Sequence, residues 1–419
     1  MSARARDEAA VYLDTREAGP RQVGWLRRAG SGQRADVSFE YTQEWIDSAE
    51  AFSIDPALNL VVGEQRRRTG GLHGIFDDAA PDRWGRRLLE RREAQRARSE
   101  RRRARALDEW DFLTGVSDRT RMGAIRLAQG PGGPFIDDEA LEVPPKTDLR
   151  TLESVAASLE RGDRASDDEV RRWLEQLLAP GASLGGTRPK ATFANEDGDM
   201  WIAKFASPKD RRDMGAWEYV QTRLAERSEI SVPETELLSL GEGYRTFAAK
   251  RFDRAAGHRV HFASGMTLLD QRDHPEGVGY LDLASAIERY GPPTRTAIDS
   301  DLEQLFRRAV FAALAGHRDD HLRNHGFLHD GRGWRLSPAF DLNPIPDKHE
   351  HELNFDGRST LPDLEPILAT APLYRLSDAS ARAVTDHIRS AVASWREVAR
   401  DIGLGRDEQD LMAPAYIGS

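Results

Sequence analysis

The chain of 419 residues contains no cysteine. This absence excludes disulfide bonds, thiolate zinc sites, iron–sulfur clusters and a cysteine nucleophile. Long apolar segments are also missing, since one of the longest runs extends only from Ala309 to Gly316. The first residues are not followed by the apolar region of a standard signal peptide. We therefore expect a cytoplasmic protein that does not associate with membranes.

Lysine is scarce, with six lysines against 54 arginines. Each lysine is therefore informative, because its compact point charge is not reproduced by arginine. The 60 Lys and Arg residues and 70 Asp and Glu residues give a formal net charge of −10, which argues against a general polyanion-binding protein. Eleven arginines and three glutamates nevertheless fall between Arg83 and Arg105. One strongly basic segment thus lies within an acidic chain.

Length and patterning predict three regions. Residues 1–145 contain alternating segments such as Val37 to Tyr41 and are predicted to form a β-rich N-terminal unit. Pro81 and Asp82 predict the start of a helix that continues through the arginine-rich segment. Residues 146–255 mix helix and strand, and residues 256–419 have helical periodicity, with Gly316 ending a buried helix.

The most informative motif is His317-Arg318-Asp319-Asp320-His321-Leu322-Arg323-Asn324. It matches H-R-D-x-x-x-x-N, the catalytic loop of protein kinases, in which the aspartate accepts the proton of the attacking hydroxyl and the asparagine binds Mg²⁺. A predicted hairpin over 324–337 follows the loop. Phe340-Asp341-Leu342 comes next, where kinases place a second metal-binding aspartate. The pattern predicts Asp319 as the catalytic base and Asn324 and Asp341 as ligands of Mg²⁺.

Further kinase elements precede the loop in the expected order. A small-residue loop at 181–190 is suited to place the amides of Gly185 and Gly186 over phosphates. Lys204 lies on an otherwise apolar strand and is predicted to hold the α- and β-phosphates of ATP. The segment that contains Lys250, Arg251 and Phe252 ends a further strand, where an inter-lobe hinge would contact adenine. Together these motifs predict an α+β, two-lobed, protein-kinase-like fold with a mostly helical C-terminal lobe.

Two other functions are compatible with single features. A metal-dependent phosphohydrolase could use His317, Asp319 and His321, because histidine and aspartate ligate divalent metals. A non-catalytic nucleic-acid-binding corepressor could use the segment from Arg83 to Arg105 on backbone phosphates. A solvated arginine-rich helix face is the simpler interpretation of that segment.

Several segments together resemble the HipA family of bacterial serine/threonine kinase toxins. Asp319 to Asn324 is similar to the family loop D-x-H-x-x-N, and Pro338 to Leu342 resembles its P-x-[FY]-D-[LI] segment. Ser183 to Lys190 looks like the phosphate loop S-x-x-G-x-x-x-K, and Arg251 to Arg254 is similar to the hinge motif R-F-D-R. Ser38 to Tyr41, and also Gly123 to Leu127, resemble the family's N-terminal subdomain.

The resemblance implies an ATP- and Mg²⁺-dependent kinase that inhibits growth by phosphorylating a translation component, typically an aminoacyl-tRNA synthetase. Ser183, Lys190 and His321 would join the ATP-binding residues, and Ser183 would be autophosphorylated. The resemblance also implies a small helix-turn-helix antitoxin, HipB-like, that carries the pair to operator DNA. It does not account for the density of arginine between Arg83 and Arg105.

Overall fold

A computed structural model describes residues 7–15, 19–30, 35–137, 143–163, 166–178, 186–241, 243–255, 257–272 and 275–417. The strands are β1 Glu8–Leu13, β2 Arg21–Ala29, β3 Asp36–Tyr41, β4 Gln65–Arg66, β5 Ile125–Ala128, β6 Lys190–Ala194, β7 Met200–Lys204, β8 Thr235–Leu238, β9 Thr246–Lys250, β10 Arg254–Ala255, β11 His258–Arg259, β12 His261–Ser264, β13 Gly326–His329 and β14 Trp334–Leu336.

The helices are α1 Gln43–Ile46, α2 Gly74–Asp78, α3 Arg83–Ser99, α4 Glu109–Thr114, α5 Leu149–Arg161, α6 Asp167–Leu178, α7 Met214–Arg227, α8 Gly265–Leu268, α9 Tyr280–Tyr290, α10 Arg295–Ala315, α11 Leu364–Ala369, α12 Asp378–Ala393, α13 Trp395–Asp401 and α14 Arg406–Met412. The chain divides into two units, Met1–Pro208 with Asp253–Ala263 and Lys209–Phe252 with Ser264–Ser419.

The first unit contains an antiparallel sheet in the order β4-β3-β2-β1-β5. Val11, Leu26 and Phe39 are buried in these strands. Three consecutive residues are buried in β1 and three in β3, so both faces of these two strands are covered. Gly24 permits close packing, because a Cβ there would lie 2.4 Å from the carbonyl oxygen of Glu40. All five strands of this sheet lie within residues 1–145, the region that the sequence predicts to be β-rich.

The arginine-rich segment forms α3, which begins where Pro81 and Asp82 predict it. The Asp82 side chain caps the helix by accepting a hydrogen bond from the Gly85 N–H at 2.9 Å. Trp84 and Leu88 are buried, and the helix packs against α6. The first unit also contains the antiparallel β6–β7 hairpin, in which Lys190 lies directly opposite Lys204 in the strand register.

The second unit is built around α10. Leu302, Phe306, Val310 and Leu314 are buried along this helix, and α9 and α12 pack against it. The predicted helical periodicity of this region is therefore confirmed, and the small antiparallel sheets and abundant helices agree with a mixed α and β fold. Within the described ranges, every helix is too short or too polar to cross a membrane.

Candidate active site

The predicted catalytic loop lies between α10 and β13. Helix α10 ends at Gly316, whose φ of +65° is left-handed. A Cβ at Gly316 would lie 2.2 Å from the carbonyl oxygen of Ala415, so glycine is required for both conformation and space. The chain then continues through 317–321 into a 3₁₀ turn at Leu322–Asn324. The loop thus leaves a buried helix in a fixed direction.

Two adjacent aspartates of the loop have opposite environments. Asp319 is exposed, and its Oδ1 lies 3.1 Å from Nζ of Lys348. Asp320 is buried, and its Oδ2 accepts hydrogen bonds from the Tyr280 hydroxyl and, at 3.1 Å, from Nε2 of His325. A general base must reach the hydroxyl that it deprotonates. Asp319 can therefore act on a substrate, whereas Asp320 holds the loop.

Asp320 is the centre of a buried ionic cluster. Nε2 of His317 lies 3.5 Å from its Oδ1. Burial by itself would raise the pKa of Asp320, but the imidazoles of His325 and His317 hold that pKa well below its ordinary value. Burial also opposes the charge of His317, yet Asp320 raises the pKa of that imidazole overall. The cluster therefore keeps Asp320 as a carboxylate that fixes the loop from its buried side.

The predicted metal ligands Asn324 and Asp341 are each held by hydrogen bonds. Nδ2 of Asn324 donates to the carbonyl oxygen of Asp319 at 3.2 Å. Asp341 has a left-handed φ of +59°, and Nδ2 of Asn343 donates to its Oδ1 at 3.2 Å. The Asn343 N–H in turn donates to Nδ1 of His317 at 3.2 Å. His317 and Asn343 thus link the loop to the segment that carries Asp341.

The donor types at Asn324 and Asp341 fit a hard cation. Mg²⁺ is commonly bound by one or two carboxylates and by oxygens of substrate phosphates and water. Across the described ranges, no group of three or more His, Asp or Glu residues is arranged to hold a metal. His317 faces Asp320 and Asn343, and the carbonyl of His321 accepts from the Asn324 N–H at 2.8 Å. His317, Asp319 and His321, all within the described residues, are therefore not grouped as ligands of one metal ion.

The predicted hinge segment follows β9. The Lys250 N–H donates to the carbonyl oxygen of Glu234 at 2.8 Å, and Arg251 is buried. The ring of Phe252 lies 5.3 Å from that of Phe340, with the two planes tilted by 40°. Phe252 therefore packs against the residue that precedes Asp341, a contact that the sequence did not predict.

Gly186, Lys190 and Lys204, the described residues of the predicted phosphate site, belong to the first unit. Ser183 and Gly185 lie outside the described residues. Gly186 has a φ of +111°, and a Cβ there would lie 3.3 Å from Nζ of Lys190. Lys204 is the last residue of β7, directly opposite Lys190 in the hairpin. Gly186, Lys190 and Lys204 thus lie together at the start of β6 and the end of β7.

Lys190 has a partner that the sequence did not predict. Its Nζ lies 2.6 Å from Oδ2 of Asp82, and both side chains are about 95% buried or more. Asp82 also caps α3. Arg87, one turn into the same helix, donates to the carbonyl oxygen of Thr187 at 2.5 Å. The N-terminus of α3 therefore braces the chain that follows the phosphate loop.

Part of the basic charge between Arg83 and Arg105 is paired within the first unit. Arg86 forms two hydrogen bonds with the Glu109 carboxylate, at 2.8 and 2.7 Å. Arg105 binds both oxygens of Asp111, at 2.5 and 2.9 Å. Ion pairing therefore accounts for part of the arginine density, and it favours a structural role for those side chains over phosphate binding.

Four residues of the site were not predicted as functional: Tyr280, His325, Asn343 and Lys348. His325 directly follows Asn324, the last residue of the motif. The scarcity of lysine in the sequence was a signal that could have identified Lys348. Tyr280 begins α9, forty residues before its partner Asp320. No local pattern connects two residues at that separation.

Two family models match the chain. The HipA N-terminal domain matches residues 10–128, and the HipA-like C-terminal domain matches residues 182–397. A protein of Sinorhizobium fredii, named as a candidate kinase, is 27% identical over 315 residues, which is 65% of this chain and 74% of that protein. A candidate kinase of Haemophilus influenzae is 26% identical over 193 residues, covering 40% of this chain and 54% of that protein.

Solved structures include a similar fold. HipA of Shewanella oneidensis, from a complex of HipA, HipB and operator DNA, matches with a TM-score of 0.66 at 17% identity, covering 97% of this chain and 94% of that one. The structural match shows a common fold, and the C-terminal family model alone spans half of the sequence. The chain belongs to the HipA family.

Proposed function

We propose that this protein is an ATP-dependent serine/threonine protein kinase with a two-lobed, kinase-like fold. The observation that carries the proposal is the contrast between Asp319 and Asp320. The exposed carboxylate can accept the proton of a hydroxyl, while the buried one is fixed by Tyr280 and His325. Asn324 donates from its Nδ2 to the backbone carbonyl of Asp319, which fixes the side-chain amide whose oxygen we propose as a ligand of Mg²⁺.

The proposed roles follow the requirements of phosphoryl transfer, which depends mainly on positioning and on stabilisation of charge. Asp319 orients and deprotonates a Ser or Thr hydroxyl. Asn324 and Asp341 would hold Mg²⁺, which would neutralise phosphate charge. Lys204 holds the α- and β-phosphates, covered by the amides of Gly185 and Gly186. The segment 250–252 contacts adenine.

Lys190 and His321 have supporting roles in this proposal. Lys190 is buried against Asp82, so it secures the end of the phosphate loop at the start of β6. His321 begins the 3₁₀ turn, and its carbonyl oxygen accepts a hydrogen bond from the Asn324 N–H. It therefore shapes the turn that presents the Asn324 side chain.

We extend the proposal to a toxin of a toxin–antitoxin system in the cytoplasm. The S. oneidensis HipA structure contains HipB and operator DNA, which supports a small HipB-like helix-turn-helix antitoxin as the partner and operator DNA as an indirect one. An aminoacyl-tRNA synthetase is the candidate substrate. Autophosphorylation of Ser183 would add about −1.5 to −2 charges, which ATP phosphates would repel.

The test is incubation of the full-length protein with γ-labelled ATP, Mg²⁺ and a bacterial lysate, followed by mass spectrometry. We expect label on Ser or Thr of a lysate protein and on Ser183, and none with Asp341→Asn, which should also weaken binding of the metal–nucleotide complex. Release of free phosphate without any phosphorylated protein would contradict the proposal.

A further inference from the structure

Lys348 is the lysine beside the proposed catalytic base. Its Nζ lies 3.1 Å from Oδ1 of Asp319 and 2.8 Å from Oε1 of Glu352. The side chains of Lys348 and Asp319 are 43% and 55% exposed, so both can meet a substrate. Exposed ion pairs contribute little to folding stability. Stability alone therefore does not account for a cation at this position.

The backbone on both sides of Lys348 is hydrogen-bonded to the catalytic loop. The bonds run from the Ile345 N–H to the Gly316 carbonyl at 2.9 Å, from Nδ1 of His351 to the His317 carbonyl at 3.2 Å, and from the Glu352 N–H to the Arg318 carbonyl at 3.3 Å. Arg318 also donates to the carbonyl of Ile345. Lys348 is thus presented to Asp319 by a preorganised segment, residues 345–352.

The charge state of Lys348 suits an electrostatic role. Partial burial would lower its pKa, but hydrogen bonds to Glu352 and Asp319 raise that pKa above its ordinary value. The side chain is therefore an ammonium at neutral pH. Its three N–H donors on a flexible stem can exchange one carboxylate oxygen for a phosphoryl oxygen.

We propose that Lys348 is a catalytic residue that binds an oxygen of the phosphoryl group during transfer, an inference that rests on the proposed kinase function. In that step the bond from the γ-phosphorus to the β,γ-bridging oxygen breaks, and its electron pair leaves with ADP. The substrate hydroxyl oxygen forms the new bond to phosphorus, and its proton passes to Asp319.

The contact with Asp319 brings Lys348 close to the phosphoryl oxygens on which negative charge would accumulate during transfer. A hydroxyl bound to Asp319 lies about 3 Å from its carboxylate, and the attacked phosphorus lies about 3–3.5 Å further on. An ammonium that already contacts Asp319 is within reach of the equatorial oxygens on that phosphorus. Fixed cations at such oxygens stabilise the transition state.

The test compares Lys348→Met, Lys348→Arg and the wild type in single-turnover phosphoryl transfer, with ATP affinity measured in parallel. We expect Lys348→Met to slow transfer by about 100-fold while ATP affinity changes less than about threefold. Lys348→Arg should recover part of the rate, because it restores the cation with a different shape. Lys146→Met, a lysine substitution before α5, is the control and should transfer at the wild-type rate.

Wild-type transfer by Lys348→Met would overturn the inference, as would faster transfer, which would make Lys348 a restraint on Asp319. An equal loss of transfer and ATP affinity would also overturn it, because that pattern indicates ground-state binding. Asp319→Asn in the same assay separates the kinase proposal from the proposed role of Lys348. If Asp319→Asn is inactive and Lys348→Met is fully active, only the role of Lys348 is rejected. A wild-type protein without any transfer would reject both.

Discussion

At the scale of single residues, the two loop aspartates have opposite environments. Asp319 shares an exposed ion pair with Lys348, whereas Asp320 is enclosed by Tyr280, His317 and His325. The kinase motif identified the first residue from its position alone. It gave no role to the second, whose hydrogen bond with Tyr280 joins residues 40 positions apart.

This contrast predicts different effects on stability. Asp320→Ala should lower the free energy of unfolding by about 3–5 kcal/mol, because it leaves buried partners without their carboxylate. Asp319→Asn should change it by less than about 1 kcal/mol, because its ion pair is exposed. Urea unfolding of both variants measures the difference. Equal losses would contradict the assignment of a structural role to Asp320.

His351 makes stability depend on pH. Burial lowers its pKa from 6.5 to about 4, so the unfolded chain binds a proton that the folded chain does not. Stability is therefore present above pH 6.5 and is lost as the pH falls towards 4. Between pH 7 and 5 the loss from this group should be about 2 kcal/mol. Urea unfolding of His351→Gln should show a shallower pH dependence, and an unchanged one would disprove the contribution.

At the scale of elements, the junction between α10 and the catalytic loop depends on Gly316. Gly316→Ala should lower the free energy of unfolding by about 3 kcal/mol. The alanine would adopt an unfavourable left-handed φ, and its Cβ would lie 2.2 Å from the Ala415 carbonyl oxygen unless the backbone moved. Gly331→Ala is the matched control. The φ of Gly331 is +88°, and among the described residues, apart from its two chain neighbours, no atom lies within 4 Å of its Cβ position, so the substitution should lower the free energy of unfolding by about 1 kcal/mol. Thermal unfolding measures both, and similar losses would contradict the packing argument.

The N-terminus of α3 and the start of β6 are joined by the buried pair of Asp82 and Lys190. Asp82→Ala should reduce the free energy of unfolding of the first unit by about 3 kcal/mol, because it removes the cap of α3 and leaves a buried ammonium without this partner. Glu109→Gln, which removes an exposed partner of Arg86, should cost less than about 1 kcal/mol. Urea unfolding checks both; a neutral Asp82→Ala would show that the pair does not brace the loop.

The sequence predicted the elements that depend on residues close to one another in the chain. The buried spacing of α10, its glycine stop, the cap at Asp82 and the hairpin around Asp330 and Gly331 each depend on neighbouring residues, and the structure contains all four. The contacts of Tyr280 with Asp320 and of Lys348 with Asp319 join residues 40 and 29 positions apart. Tertiary packing decides these contacts, and one sequence without its fold carries no signal for them.

At the scale of the whole molecule, the motif order agrees with the family models that match 10–128 and 182–397. The net charge of −10 does not conflict with ATP binding, because a local cationic site is sufficient. Ion pairs within the first unit neutralise part of the charge of the basic segment, because Arg86 and Arg105 each bind a carboxylate of that unit. The family and the mixed fold followed from sequence; the bracing role of α3 did not.

The most direct test of the central claim separates ATP binding from phosphoryl transfer in Asp319→Asn. The amide keeps the shape of the side chain but cannot accept the hydroxyl proton as a carboxylate does. With γ-labelled ATP and Mg²⁺, we predict that transfer falls at least about 100-fold while calorimetric affinity for the metal–nucleotide complex stays within about threefold of the wild type. Transfer at the wild-type rate would contradict the account.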